Sequence, residues 1–400
     1  MSLGPPAAPV RVLAVDHTAG VAPFRKKFAA LAAHPEIQLT VLAPSRWVEN
    51  YKVVRAAAGG GCGYTLLTGA VGWPGYENRA FFRSGLGPAI RASHPDILHL
   101  WEEPFSLIAL QALCLAKFWA PRARALFYSS DNLSADFHYS YRPSWFYARV
   151  ERFAHRRCAA GTAVSEEVAV VLRAKGFAKS IDVIPHGLDL ADYPTDPGRE
   201  VAGSARRAAA EGARARLGLH TPVVGFLGRL VPVKAVDVLV RAVAQLPEPK
   251  PSLVIVGDGP DRVAIEELIE EMSLSRSTRL LPGVPHSDVP DLLAAIDVLT
   301  LPSRTLPRSK EQFGRVLIEG MAAGCVVIGS DSGAIPEVIG DAGLVFPEND
   351  VEGLAAALRR VLGDPGLAAS LRAAGRRRVK ERYTWDAVAA RIVECYRRLV

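Results

Sequence analysis

The sequence predicts an α/β protein made of two doubly wound, Rossmann-like parallel sheets, each covered by helices on both faces. Three observations lead there. Short β-branched runs alternate with longer helical patterns through the first half of the 400 residues, strand signals vanish between Asp189 and Thr221, and the same alternation then resumes. A chain this long exceeds what one core organises, so two domains are expected.

The first domain opens with a strand over 10–16, a helix over 23–33 and a strand over 37–42, the βαβ order of parallel sheets. Further units follow: strand 96–100 with helix 104–119, strand 125–129 with helix 143–158, then strand 161–164 with a helix from Ser165. Pro194, Pro197 and Gly198 precede an Ala/Arg/Glu-rich stretch, which places the domain break at 198/199. The second domain, 199–383, reads as strand 223–227, helix 235–246, strand 253–256, helix 261–272, strand 280–281, helix 289–295 and strand 298–301. In helix 235–246, Val236, Leu239, Val240, Val243 and Leu246 recur at three- and four-residue steps, so that face is core. The tail from Val351 reads as consecutive helices interrupted at 363–365 and 383–385, and segment 384–400 is assigned to the first domain.

Composition excludes several classes. With 49% apolar and 22% charged residues and no apolar run long enough to span a bilayer, no transmembrane segment is expected. The start, Met-Ser-Leu-Gly-Pro-Pro, lacks a signal-peptide pattern, so a cytoplasmic protein is expected. Five scattered cysteines without a CxxC pair argue against both a disulfide framework and a zinc site. The net charge of +7 suits an anionic partner of some kind. Two stretches are candidates for peripheral contact with an anionic membrane: the aromatic and basic run 137–157, and Phe24-Arg25-Lys26-Lys27-Phe28. Each reads more readily as a helix with a solvated cationic face, and nucleic acid is not expected as a partner.

The chemistry concentrates in the second domain. Gly228-Arg229-Leu230-Val231-Pro232-Val233-Lys234 lies at the carboxyl end of a strand, where open α/β sheets bind ligands. A forked guanidinium and a mobile ammonium there can grip different oxygens of one diphosphate; alone, the pair reads equally as two surface cations. Glu311-Gln312-Phe313-Gly314-Arg315-Val316-Leu317-Ile318-Glu319 places two carboxylates eight residues apart across a loop-to-helix transition. Gly314 permits close backbone approach, and the amides opening the next helix suit a phosphate. Glu311 is in reach of sugar hydroxyls, and Glu319, further in, of a ribose. Gly257-Asp258-Gly259-Pro260 and 329–337 are further Gly-containing loops at strand ends.

Taken in order, these pieces resemble a retaining glycosyltransferase of family four, with the GT-B fold of two Rossmann-like domains facing a central cleft. The resemblance covers nearly the whole chain and rests on Ala163-Val164-Ser165-Glu166-Glu167-Val168, Ile184-Pro185-His186-Gly187-Leu188-Asp189, Gly228-Arg229 with Lys234, Val256-Gly257-Asp258-Gly259-Pro260, the 311–319 signature and 333–338. It implies that Arg229 and Lys234 hold a donor diphosphate, Glu311 the donor sugar and Glu319 the ribose. Phe313, Gly314 and Arg315 would offer backbone contacts, and Gly283, Val284 and Pro285 would meet the base.

The chain departs from the family in its first domain. Where many members have Gly-Gly after the first strand, it has Asp16-His17-Thr18-Ala19-Gly20, leaving Gly20 as the candidate phosphate contact; His17 reads either as functional or as a loop residue. Where many have a His near the transferred sugar, it has Ser130-Asp131-Asn132, and Asp131 is the candidate substitute. Glu102 and Glu103 are candidates for orienting hydroxyls. The expected partners are thus a UDP- or GDP-sugar and a glycan, lipid-linked or small-molecule acceptor, with no cofactor and no metal, since the sequence has no DxD-like triplet. A noncatalytic sugar-nucleotide-binding protein and a nucleotide-sugar epimerase on the same scaffold are the alternatives. A dinucleotide dehydrogenase is disfavoured, because no G-x-G-x-x-G follows the first strand.

Overall fold

A computed structural model describes residues 8–49, 52–56, 59–61, 63–133, 143–193 and 211–400. The chain forms two compact units, Met1–Gly187 with Trp385–Val400, and Leu188–Thr384. It changes unit at Gly187–Leu188, earlier than the 198/199 break suggested by composition; residues 194–210 lie outside the described residues. The return crossing is adjacent to the outward one, since the Leu188 amide donates to the Tyr383 carbonyl at 2.8 Å.

In the first unit the strands run, across the sheet, Ser180–Val183, Ala160–Ala163, Arg124–Ser129, Ile97–Leu100, Val10–Val15, Ile37–Pro44, Tyr64–Gly69 and Gly59–Gly61. All neighbours pair in parallel except the last, which is antiparallel and closes one edge. Val12 to Val15 and Ile97 to Leu100 are buried throughout, as strands covered on both faces must be. The order reverses between Val10–Val15 and Ile97–Leu100, so the loops that follow them flank the switch point. Ser106 and Ser165 cap the helices Leu107–Trp119 and Glu166–Ala174 by accepting from the amides of Ala109 and Val168.

The helix Trp385–Arg397 belongs to this unit. Val388, Ala389, Ile392, Val393, Cys395 and Tyr396 share a core with Phe28, Leu31, Leu39 and Val41, and the Tyr396 hydroxyl meets Nδ1 of buried His99 at 2.7 Å. Gly187 abuts the Trp385 ring so closely that a Cβ would lie 2.5 Å from it.

The second unit has six parallel strands in the order Thr278–Leu281, Ser252–Val256, Val223–Leu227, Val298–Leu301, Val326–Ser330 and Gly343–Phe346. Its switch point lies between Val223–Leu227 and Val298–Leu301. The helix Val236–Ala244 buries Val236, Leu239, Val240 and Val243 as its periodicity requires. Elements missing from the sequence reading include the strand pair Arg46–Glu49 with Lys52–Arg55, the pair Val71–Gly72 with Phe81–Phe82, the helix Leu86–Ser93, and the strands Gly59–Gly61, Tyr64–Gly69, Ser180–Val183 and Gly343–Phe346. Among the described residues no helix is long and apolar enough to cross a membrane.

Because the Trp385–Arg397 helix completes the first unit's core, Ile392→Ala is expected to destabilise that unit by about 2–5 kcal/mol, the range for truncating a buried Ile. Chemical denaturation followed separately in each unit will show the loss in the first transition.

Candidate functional site

In the second unit, two loops meet at the switch point. The first, from Gly228 to Lys234, is fitted against the Gly-Asp-Gly-Pro loop. A Cβ on Gly257 would fall 1.8 Å from the Gly228 carbonyl oxygen, and one on Gly259 would fall 2.1 Å from that of Leu230. The Leu230 amide donates to the Asp258 carbonyl at 2.9 Å, and the Asp261 amide to the Leu230 carbonyl at 3.1 Å. These glycines therefore hold the Arg229 loop in place by letting backbone meet backbone. Arg229 itself is exposed and, among the described residues, has no ion-pair partner.

The second loop carries Glu311. Lys234 Nζ lies 2.5 Å from Glu311 Oε2, and the Ser303 hydroxyl donates to the same oxygen at 2.8 Å. The sequence reading gave Lys234 and Glu311 separate tasks; in the structure they form one cluster, with Ser303 as a member that no motif marked. Glu311 is fixed from behind by Gly333, whose φ is +58° and where a Cβ would fall 1.9 Å from the Glu311 carbonyl oxygen. The Ala334 amide donates to that same carbonyl at 3.2 Å.

Beyond Glu311 the signature divides into core and surface. The Phe313 ring is buried edge-on against Tyr383, with centroids 5.9 Å apart. Gly314 adopts φ +79° as the cap of helix Arg315–Ala323, the left-handed turn that glycine tolerates best. Arg315 Nε lies 3.1 Å from Oε1 of buried Glu319. Burial pushes the Glu319 carboxyl above its ordinary range, and Arg315 pulls it back. The other end of Arg315 meets His286 Nε2 at 3.3 Å. Gly283 is exposed beside Val284 and Pro285, and its amide donates to Asp258 Oδ2 at 2.8 Å. Asp258 thus links the Gly-Asp-Gly-Pro loop to the 283–285 loop.

The first unit's switch point is a set of buried charge pairs. Asp16 accepts from the amide and hydroxyl of Thr18, both at 2.7 Å, and its other oxygen lies 2.6 Å from Lys27 Nζ. Lys27 is buried and stands 4.1 Å over the Trp101 ring. This corrects the reading of Phe24-Arg25-Lys26-Lys27-Phe28 as a lipid-facing or solvated stripe: Lys27 and Phe28 point inward with Leu31. Gly20 lies buried in the same turn, 3.5 Å from the Pro44 carbonyl when given a Cβ. In the other candidate membrane stretch, residues 134–142 lie outside the described residues. The helix Ser144–Arg157 buries Tyr147, Val150, Glu151, Ala154 and His155 and turns Arg149, Arg152, Arg156 and Arg157 to solvent.

Glu102 is committed to His17: one carboxylate oxygen accepts its amide at 2.8 Å and the other meets its Nδ1 at 2.9 Å. Burial works against a charge on His17, but Glu102 outweighs it and lifts the ring to about 9. Glu103 accepts from the Ser129 hydroxyl at 2.6 Å and the Ser130 amide at 2.7 Å, while burial and neighbouring Asp131 push it up to about 7. Asp131, the proposed substitute for a histidine, pairs with Lys175 at 2.8 Å and accepts from the Leu133 amide at 3.1 Å. Lys175 also lies 3.4 Å from Glu151; nothing in its sequence context marks it.

Two Rossmann-like parallel sheets, each with polar side chains gathered at its switch point, make up the GT-B fold. Comparison with known proteins gives the family. "Glycosyltransferase Family 4" matches residues 14–192 and "Glycosyl transferases group 1" matches residues 213–378. A GDP-mannose-dependent alpha-(1-6)-phosphatidylinositol monomannoside mannosyltransferase of Mycobacterium tuberculosis is 32% identical over 289 residues, 70% of this chain and 72% of that protein. A D-inositol 3-phosphate glycosyltransferase of Salinispora arenicola is 34% identical over 231 residues, 54% of this chain and 49% of that one. The fold matches Anabaena HepE in complex with UDP, with TM-score 0.70, 19% identity, and coverage of 97% of this chain and 100% of that one. The chain belongs to the family-four, group 1 glycosyltransferases, which transfer a sugar from a nucleotide donor.

Two outcomes follow from this geometry. Gly333→Ala adds a left-handed penalty of roughly 1–2 kcal/mol and displaces the Glu311 backbone, so the urea midpoint of the second unit should fall. The raised His17 contributes stability that is fully present below about pH 6.5 and lost as pH rises through about 9. Urea midpoints measured across that window should fall in the wild type and stay level in Glu102→Gln.

Proposed function

We propose that the chain is a retaining hexosyltransferase whose second unit holds the nucleotide-diphosphate sugar and whose first unit receives the acceptor. The Lys234–Glu311 pair at the second switch point, with Arg229 exposed on the same loop as Lys234, carries this reading. Departure of the diphosphate is the difficult step, and positive charge fixed where negative charge develops lowers its barrier. Arg229, exposed and unpaired among the described residues, is placed to meet that charge on entry. Lys234 is held by Glu311 until a ligand arrives; phosphate oxygens then compete for the ammonium, and the Glu311 carboxylate is freed to accept from sugar hydroxyls.

Glu319, kept in the helix by Arg315, is assigned the ribose, and the 283–285 loop the base. Phe313, being buried, acts through its backbone. The charge of the leaving group is assigned to these two cations rather than to a metal ion. For retention, attack on the face from which the diphosphate leaves is favoured over a glycosyl-enzyme intermediate of the glycosidase kind.

The mycobacterial relative is named for GDP-mannose and two relatives for inositol-bearing acceptors. GDP-mannose and a cyclitol acceptor are accordingly the first pair to assay. A thermal-shift panel of GDP, UDP, ADP and NAD should give a shift with one nucleoside diphosphate that disappears in Arg229→Ala. The same variant should lose about 10²–10³ in kcat, the cost of removing one preorganised stabilising group. A shift with NAD alone would refute the proposal, and binding without donor hydrolysis or transfer would favour a noncatalytic sugar-nucleotide-binding protein.

A further inference from the structure

His17 is built into the first unit's switch point by more bonds than a loop residue needs. Its amide and its Nδ1 both reach Glu102, one carboxylate oxygen each, at 2.8 and 2.9 Å. Its ring lies against that of buried Trp47, with centroids 4.9 Å apart. Glu102 is itself buried, so a carboxylate has been taken out of water to hold one imidazole. The loop lies at the carboxyl end of Val10–Val15, beside the strand Ile97–Leu100, where open α/β sheets receive ligands. Among the described residues nothing bonds Nε2, and the side chain retains 14% exposure.

Because Glu102 accepts at Nδ1, that nitrogen carries a proton in every state in which the pair holds, and the character of the ring is expressed at Nε2. Protonated, Nε2–H is a donor; neutral, Nε2 is an acceptor. The charged groups around it are Glu102 on the facing loop, Asp16 on its own turn with Lys27 beyond, and Glu77 from the adjoining segment. Three carboxylates against one ammonium keep the ring an imidazolium in the neutral range.

We infer that His17 is a substrate-contacting residue whose Nε2–H donates to an oxygen of the acceptor, with Glu102 as its positioning residue. The inference rests on the transferase reading above and deepens it by assigning a group on the acceptor side. The oxygen belongs to a sugar or cyclitol hydroxyl or to a phosphate, and myo-inositol and D-inositol 3-phosphate as probe acceptors separate the two.

Amide isosteres test it. His17→Asn keeps a donor near Nδ1 for Glu102 and removes the one at Nε2, whereas His17→Gln does the reverse. The expected result is an acceptor KM raised about ten- to a hundredfold in His17→Asn, the effect of losing a charged hydrogen bond, with a Tm lowered less than in His17→Gln because the bond to Glu102 is kept. In His17→Gln the Tm should fall while acceptor KM largely recovers, and the KM for the nucleotide sugar should stay level in both. Acceptor KM in the wild type should climb as pH passes about 9, the value at which the ring loses its proton, and not in His17→Gln. An acceptor KM that follows the Tm instead, normal in His17→Asn and raised in His17→Gln, would overturn the inference and leave His17 as a turn lock. NMR titration of the ring needs no turnover. A wild-type value near the ordinary 6.5 also overturns the inference, whereas a wild type that transfers from no nucleotide sugar defeats the transferase reading instead.

Discussion

Both sheets are parallel and covered on both faces, and that constraint decides where polar chemistry can lie. Strands such as Val223–Leu227 and Ile97–Leu100 are buried end to end, so no titratable group that needs water can sit along them without a partner. Polar side chains are displaced to the carboxyl ends, and the reversal of strand order opens one place in each unit where two loops part. Arg229, Lys234, Ser303 and Glu311 gather at one such place, and Asp16, His17 and Glu102 at the other.

At both places the less exposed charges are already paired, with Arg229 left exposed: Lys234 with Glu311, His17 with Glu102, Lys27 with Asp16, and further along the first sheet Lys175 with Asp131. A half-buried charge without a partner is costly, so opposite charges hold one another in the absence of ligand. Such pairs set the geometry in advance at modest cost. They also make ligand binding an exchange of partners rather than the capture of a bare charge.

The alternation of strands and helices was legible because periodicity follows directly from burial, and Val236, Leu239, Val240 and Val243 fell on the face their spacing demanded. The short antiparallel pieces between 46 and 82 were not legible, since two- to four-residue strands have too little periodicity to register. In the candidate site, the motifs marked the residues of the Lys234–Glu311 and Arg315–Glu319 pairs, though not that they pair. Ser303 and Lys175 were not marked, because each is brought in by topology from a stretch with no signature. Lys27 was legible in principle: it shares a helical face with Leu31, but adjacent Arg25 and Lys26 suggested a solvated stripe.

The helix that completes the first unit's core comes from residues 385–397, after the whole of the second unit. During synthesis, therefore, the first 187 residues emerge with Phe28, Leu31 and Leu39 lacking the side chains that will cover them. That face of the core is completed only once the residues that follow the second unit have been made. Gly187 and Trp385, pressed together at the crossing, are separated in sequence by the whole of the second unit. The order of assembly is thereby tied to the order of translation: the half that is made first is the half that finishes folding last.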